Sequence, residues 1–494
     1  MAPMRLRRGM TAAILGAGLA LLAACGPGAD EAAKAPPAPE QAAAAGAGRP
    51  NVVVIIADDL GWADVSTYGL DRVPTPNIDR IAKDGVAFSN GYVVAPVCTV
   101  SRSGLLTGRY PQRFGIEYLN MDDEINLGLP VSETTIADRL KKAGYHTGLV
   151  GKWHQGGTDE FYPTNRGFDE FYGILGGMTT YIDPATPGIV DATPGRAPKT
   201  APKREGPQLL LKGPDREEVH NFDKYLTYEL TDQANDFVAR NKNDPFFLYL
   251  AYTAPHRPFQ VPQEVYDRFP NIADHGRRTY VAMIAALDDS IGRFLDTLEA
   301  EGVRDNTLVV FLSDNGCPPQ FESCDCSHPI NAGKFTLLEG GIRVPFLLSW
   351  PKGLAARGRI DEPVSALDIL PTALKAAGIA PPTDETLDGS DLVAIAQKPQ
   401  GEDERSFVWR TLPAYAVREG RWKLWTSIDL NRTELFDLEA DPGETADVAA
   451  DHPEIVARLR ARFDDWSKGA SEPLWPVHHK EEVEVCGRVT EFIY

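Results

Sequence analysis

One segment of the chain, residues 98–109, combines a reactive thiol with a permanent positive charge. It begins with Cys98 and places Arg102 four residues later. If the segment is helical, this spacing puts both side chains on one face, at the end whose backbone N–H groups favour an anion. A guanidinium there can orient a nucleophile and bind oxyanion oxygens. The segment therefore predicts a nucleophile in an anion-binding site, although a lone cysteine is more often a buried core thiol.

Two pairs of oxygen-bearing side chains each follow an apolar run that is typical of a β-strand. The pairs are Asp58 with Asp59, and Asp314 with Asn315. In an open parallel sheet, ligands bind just beyond the carboxyl ends of the strands. Carboxylate and amide oxygens suit calcium or magnesium better than zinc. Each pair alone is a common turn former, but together they predict a metal site.

Four further side chains, Lys152, His154, His256 and Lys334, occupy turn-rich segments between the predicted strands and helices. A histidine in a cleft can move protons near neutral pH, and a lysine supplies a compact charge for a sulfate or phosphate oxygen. Each of them alone has an ordinary structural interpretation. A nucleophile, a metal site and several cations together are the parts needed to hydrolyse an ester of a strong oxyacid.

The elements that must position these residues alternate between strand and helix. Predicted strands cover residues 51–57, 145–150, 246–252, 308–312 and 344–350, and predicted helices begin at 75 and cover 132–143 and 277–300. This alternation predicts an α/β fold, with a large, mostly parallel sheet sandwiched by helices. The reactive residues would then lie in loops at one edge of that sheet.

The chain divides by composition into several parts. A main domain is predicted for residues 50–390, and its segment 155–240, rich in Gly, Pro and Thr, is expected to shape the mouth of the pocket. Short strands near 407–410, 415–418 and 422–425, followed by a helix over 453–467, predict a small C-terminal α+β domain at 391–494.

The first 49 residues predict export rather than folded structure. Residues 1–25 have a basic start and a short apolar run, typical of a signal peptide. The run ends at Cys25 in a sequence that resembles a bacterial lipoprotein cleavage box. The resemblance implies a lipidated Cys25 that anchors an exported protein to the membrane, in the periplasm or at the cell surface. Residues 26–49 are predicted to form a flexible tether. An ordinary signal peptide with an incidental cysteine is the alternative.

Composition limits the partners of the protein. The chain has 494 residues, of which 43% are hydrophobic and 24% charged, as in an ordinary globular protein. Its formal net charge of −20 argues against a nucleic-acid partner, because binding to phosphates needs a basic face. An anionic substrate must therefore be attracted by a local cationic pocket.

Four cysteines besides Cys25 and Cys98 are available for disulfides in an exported protein. They are Cys317, Cys324, Cys326 and Cys486. Four cysteines allow three pairings, and the sequence does not choose among them. A zinc site is disfavoured, because the spacing lacks the paired two-residue separation of a zinc finger.

Taken together, these motifs resemble the formylglycine-dependent sulfatases of the alkaline phosphatase superfamily, over about residues 50–490. The resemblance implies that a formylglycine-generating enzyme oxidises Cys98 to formylglycine, whose hydrated aldehyde is the nucleophile. It implies a Ca²⁺ ion, with Mg²⁺ as the alternative. The ligands would be residue 98 with Asp58, Asp59, Asp314 and Asn315.

The same resemblance implies roles for the cations. Arg102 and Lys152 would hold the formylglycine, and His154 would help to release sulfate. His256 and Lys334 would contact the sulfate and assist the leaving group. The substrate would be an aryl sulfate or a sulfated glycan.

Val100 departs from the family's maturation signal, which has proline or sometimes alanine two residues after the cysteine. Conversion of Cys98 is still expected, because the other site positions match. Two other interpretations stay open. One is a phosphatase or phosphonate monoester hydrolase of the same superfamily. The other is a surface lipoprotein that binds sulfated glycans without cleaving them, if Cys98 stays a thiol.

Overall fold

The computed structural model describes residues 48–68, 73–121, 126–183, 186–192, 210–219, 224–319, 323–326, 330, 332–399 and 405–494. The predicted signal peptide and all but the last two residues of the predicted tether lie outside these ranges. Within them, no helix combines the length and the apolar character that crossing a membrane requires.

Ten strands of the described residues form one central sheet. In spatial order they are β13 (Gly358–Ile360), β2 (Gly85–Phe88), β12 (Phe346–Ser349), β11 (Thr307–Ser313), β1 (Asn51–Ala57), β9 (Phe246–Ala251), β4 (His146–Lys152), β5 (Glu170–Ile174), β7 (Leu210–Lys212) and β8 (Glu217–Val219). The central strands from β11 to β5 are mutually parallel, whereas β12, β7 and β8 pair antiparallel with their neighbours. The predicted mostly parallel sheet is confirmed.

Helices cover both faces of the central sheet, and one further helix, α10 (Pro453–Ser467), packs on a second sheet. The other helices of the described residues are α1 (Pro76–Lys83), α2 (Cys98–Thr107), α3 (Ile136–Lys142), α4 (Leu226–Asn241), α5 (Gln263–Tyr266), α6 (His275–Ala300), α7 (Glu339–Ile342), α8 (Ile369–Ala376) and α9 (Leu392–Gln397). Successive side chains of β1 point to opposite faces. Val52 and Val54 therefore join the core with α2 and α3, and Val53 and Ile55 join the core with α4 and α6.

Two element boundaries differ from the sequence prediction. The helix predicted from residue 132 begins at Ile136, because Thr135 and Asp138 form a reciprocal capping box that fixes its start. The strand predicted over 344–350 is limited to β12 and runs antiparallel to β11.

The C-terminal part contains a second, antiparallel sheet. Its strands are β15 (Ser406–Thr411), β16 (Ala414–Glu419), β17 (Trp422–Ser427) and β18 (Arg432–Asp437). Ile455 and Leu459 of α10 pack on this sheet, which confirms a small α+β unit. The proposed boundary at residue 390 stays a prediction.

Three pairs of short strands complete the described structure. They are β3 (Gly91–Tyr92) with β14 (Val364–Ser365), β6 (Ile189–Asp191) with β10 (Gln260–Pro262), and the hairpin β19 (Lys480–Val485) with β20 (Arg488–Ile493). Sequence analysis did not predict this C-terminal hairpin, which reaches the reactive site described below.

A fully buried ion cluster joins the small sheet to helix α7. The ammonium of Lys423 lies 3.0 Å from Glu339 and 2.9 Å from Glu444. Removing one partner of a buried pair leaves an uncompensated charge. We expect Lys423→Met to lower the free energy of unfolding in urea by about 3–5 kcal/mol. The exposed Lys468→Met should change it by less than about 1 kcal/mol, and equal effects would contradict a structural role for the cluster.

Candidate active site

Two neighbouring strands bring the predicted metal ligands together. Asp58 and Asp59 follow β1, Asp314 follows β11, and the two strands are paired in register up to their last residues. Asp59 has a left-handed φ of 67°, which turns its backbone N–H toward Asp314 Oδ1 at 3.3 Å. All three carboxylates are buried. The parallel register therefore places three acidic groups at one edge of the sheet.

Arg102 and Lys152 neutralise two of these carboxylates. The Arg102 Nε and Nη2 groups both lie 2.8 Å from Asp314 Oδ2, and Lys152 Nζ donates to Asp58 Oδ2 at 2.6 Å. Burial raises the pKa of Asp58, but the charges of Lys152, His256 and Arg102 outweigh it and hold that pKa below its ordinary value. Asp58 is therefore ionised at neutral pH.

Cys98 is the first residue of α2 and lies against the acidic cluster. Its Sγ is 3.6 Å from Asp58 Oδ1 and 3.3 Å from Lys334 Nζ, which also donates to Asp59 Oδ1 at 2.7 Å. Burial raises the pKa of the Cys98 thiol to about 12, although Lys152 and Lys334 oppose this. A thiol in that state is a weak nucleophile at neutral pH.

Two histidines complete the charged wall. His256 Nδ1 lies 2.7 Å from the Arg257 carbonyl oxygen and can donate to it, which leaves Nε2 facing the site, 3.6 Å from Asp59 Oδ2. Burial lowers the pKa of His256, although Asp59 and Asp58 oppose that shift. The pKa of His154 lies well below its ordinary value because of burial and the charges of Lys152 and Arg102.

The oxygen groups fit a hard divalent cation. Ligand atoms of Asp58, Asp59, Cys98 and His256 all lie within 4.8 Å of one another. The amide of Asn315 donates to Asp59 Oδ1 at 2.7 Å, while its buried Oδ1 has no hydrogen-bond partner among the described residues. Carboxylates with an amide oxygen suit Ca²⁺ or Mg²⁺. Asp314, also predicted as a ligand, is held by Arg102 and by the backbone of Asp59.

All the predicted site residues therefore lie at one place, and a cavity of about 250 Å³ opens above them. It is lined by Asp59, Cys98, His154, His256 and Lys334, and also by Leu119, Asn120, Met121, Gly177, Met178, Arg257, Phe335 and Tyr494. Only residues 177 and 178 belong to the segment expected to shape the mouth. Arg257 and Phe335 directly follow the predicted His256 and Lys334, whereas residues 119–121 and Tyr494 come from segments without a reactive side-chain pattern, so sequence analysis missed them.

The structure selects one disulfide pairing of the three. Cys317 pairs with Cys324, and Cys326 pairs with Cys486. The second bond joins the segment before Lys334 to the hairpin of β19 and β20. Disulfides are typical of exported proteins, which is the location that residues 1–25 predict.

Comparison with known proteins gives the family of this chain. The family model "Sulfatase" matches residues 50–379, which is more than half of the chain. The protein belongs to the sulfatase family. A second model, "N-sulphoglucosamine sulphohydrolase, C-terminal", matches residues 332–468 of this sulfatase.

Full-length relatives support the same assignment. Human N-acetylgalactosamine-6-sulfatase is 35% identical over 424 residues, covering 82% of this chain and 77% of the relative. Human arylsulfatase A is 33% identical over 454 residues, covering 83% and 86%. The crystal structure of Ps i-CgsB superimposes with a TM-score of 0.79 at 35% identity, covering 86% of this chain and 94% of that one. The protein is therefore a sulfuric ester hydrolase with the sulfatase fold.

Proposed function

We propose that this sulfatase hydrolyses carbohydrate or aryl sulfate monoesters with a formylglycine derived from Cys98 and a bound Ca²⁺ ion. One observation carries the proposal: residue 98 lies against Asp58 and Lys334 in a single buried, cation-lined cavity. The raised pKa of the thiol also supports it, because an unmodified Cys98 would be a poor nucleophile at neutral pH.

The side chains around residue 98 have distinct roles in this proposal. Formylglycine hydrate would supply the attacking oxygen, and Ca²⁺, held by Asp58, Asp59, Asp314 and Asn315, would stabilise negative charge on it. Arg102 and Lys152, which pair with Asp314 and Asp58, would hold the formylglycine.

Three further side chains would act on the substrate. Lys334 lines the cavity and would offer its charge to the sulfate oxygens. His154 lines the same cavity. Its low pKa keeps it neutral near pH 7, in which state it can accept a proton while sulfate leaves. His256 would protonate the leaving oxygen from Nε2 in its doubly protonated form, which the charges of Asp59 and Asp58 favour against the effect of burial.

His256→Ala tests the leaving-group role. General acid catalysis typically contributes about 10²- to 10⁴-fold to the rate. We expect kcat for sugar sulfates, whose alcohols leave poorly, to fall by about that factor, and kcat for aryl sulfates to fall much less. His452→Ala is a matched control, because this half-exposed histidine packs on Trp422 of the small sheet. An equal loss with both substrate types would rule the role out.

The substrate class is tested by release of inorganic anion. A panel of sulfated sugars and aryl sulfates is compared with the matching phosphate monoesters. The proposal predicts sulfate release, with phosphate esters cleaved more slowly. Faster phosphate release would favour the phosphatase interpretation. Glycan binding without sulfate release, in the presence of Ca²⁺, would favour the non-catalytic one.

A further inference from the structure

A pair of aromatic rings forms the outer wall of the cavity beside Lys334. The rings of Phe335 and Tyr494 are 4.2 Å apart between centroids and inclined by 32°, and both line the cavity. On its other side Tyr494 stacks with His479 at 4.9 Å. The wall therefore joins the residue after the catalytic lysine to the end of the C-terminal hairpin.

The wall is held in place by several independent contacts. Phe335 donates its N–H to the Pro96 carbonyl at 3.0 Å and accepts from Ile493 N–H at 3.3 Å. Tyr494 N–H donates to the His479 carbonyl at 3.1 Å, and the Tyr494 carbonyl accepts from His479 N–H at 2.9 Å. The disulfide between Cys326 and Cys486 adds a covalent link between the same two segments. These hydrogen bonds and the disulfide give the wall a fixed position beside the cavity.

Phe335 also adopts an unusual backbone conformation. Its φ is 71°, in the left-handed region that a bulky residue rarely occupies. Such strain persists where the surrounding structure imposes it, and it concentrates at functional sites. The hydrogen bonds to Pro96 and Ile493 are the contacts that impose it here.

The chemistry of the cavity changes from its base to this wall. At the base, Lys334, His256 and the carboxylates of Asp58 and Asp59 meet the anionic part of a substrate. At the wall the surface is aromatic, and its rings carry no positive charge to match the sulfate group. Aromatic walls in ligand sites bind apolar ring faces. The group that lies there is the part of the substrate that remains after sulfate is released.

Arg257 adds a charged group to the same rim. It lines the cavity. Burial raises the pKa of the Tyr494 hydroxyl, and the positive charge of Arg257, which favours a lower pKa, has the smaller effect. Aromatic ring edges beside a guanidinium suit a leaving group with one apolar face and polar edges. A pyranose has that character, and a substituted aryl group shares its planar apolar face.

We infer that Phe335 and Tyr494 form the subsite that binds the ring bearing the sulfate, so that the C-terminal hairpin determines leaving-group specificity. This inference rests on the proposed function, because it concerns how the same sulfate ester is bound through the ring that carries the sulfate. Tyr494 contacts the ring and not the sulfate, so its loss should weaken binding of ring-bearing esters and leave inorganic sulfate unaffected.

Calorimetric titration of galactose 6-sulfate and of 4-nitrophenyl sulfate tests the inference without turnover. The two proteins compared are the Cys98→Ala variant and the double variant that carries both Cys98→Ala and Tyr494→Ala. Phe335 and His479 cover the faces of the Tyr494 ring, so the substrate ring would meet its edge, and loss of such an aromatic contact predicts affinity that is weaker by about 2- to 12-fold. Weaker binding of only one ester would also support the inference and would identify the ring as sugar or aryl. Unchanged affinity for both, or no measurable binding to either protein, would overturn it.

Three controls separate the ring contact from general damage. Tyr494→Phe should keep the affinity, because the aromatic ring remains. Tyr266→Ala removes a ring in edge-on contact with His275 outside the cavity and should change nothing. Inorganic sulfate should inhibit wild type and Tyr494→Ala equally; weaker inhibition of the variant would place Tyr494 at the anion site and overturn the inference. If wild type releases no sulfate while the titrations behave as expected, the proposed function fails and the subsite stands.

Discussion

Replacing Cys98 with alanine is expected to lower kcat/KM for sulfate esters by at least about 10⁴-fold. The residue would supply the atom that attacks sulfur, and Cys98 is the one free cysteine among the described residues. Lys334 and Asp58 would stay in place without a group to act on. Initial rates with an aryl sulfate, measured at saturating Ca²⁺, give the comparison.

The effect must be separated from unfolding. Alanine is a good helix former and therefore suits the first turn of α2. The first backbone hydrogen bond of that helix, from the Ser101 N–H to the Val97 carbonyl, does not use the side chain of residue 98. The thermal unfolding temperature of Cys98→Ala should therefore stay close to that of wild type. Activity within tenfold of wild type in a folded Cys98→Ala protein would remove residue 98 from the chemistry.

Removing Ca²⁺ is expected to have the second large effect. Three buried carboxylates share the site with the charges of Arg102, Lys152 and Lys334. Only the folded protein brings these carboxylates together, so a dication that binds to them stabilises the folded state. At a Ca²⁺ concentration of 100 times its Kd, linkage predicts about 2.7 kcal/mol of extra stability. Activity of the chelated protein should fall by about 10²-fold or more, since charge stabilisation by a metal is worth several kcal/mol.

Calorimetric unfolding of chelated protein, titrated with Ca²⁺ and separately with Mg²⁺, measures this effect and shows which ion is preferred. Asp59→Asn removes a ligand charge and should abolish most of the Ca²⁺-dependent rise in unfolding temperature. Asp465→Asn, which alters an exposed carboxylate of α10, should leave the rise intact. If wild type shows the same unfolding temperature with Ca²⁺ and with chelator, the proposed metal site is wrong.

The part of the site that could be predicted follows from rules that act over short distances. Asp58 and Asp314 follow apolar runs, and the topology of a parallel sheet then requires their side chains to meet. Cys98 and Arg102 are one helical turn apart, so a helix alone aligns them. The second relation needs no knowledge of distant contacts, whereas the first also depends on the pairing of β1 with β11.

The remainder of the site depends on contacts between distant segments. Tyr494 reaches the cavity only because the hairpin of β19 and β20 folds back to Phe335, more than 150 residues earlier in the chain. The pairing of Cys326 with Cys486, which holds that hairpin, is one of three that sequence allows. The strand and turn pattern near residue 485 does not show where the hairpin docks.

The central claim, that residue 98 acts as an aldehyde, is tested most directly by the mass of the peptide that carries it. The peptide is isolated from protein whose specific activity has reached its maximum. The account predicts a mass in which the CH₂SH group of Cys98 is replaced by CHO, despite Val100 in the maturation signal. A peptide that carries the intact thiol in fully active enzyme would contradict it.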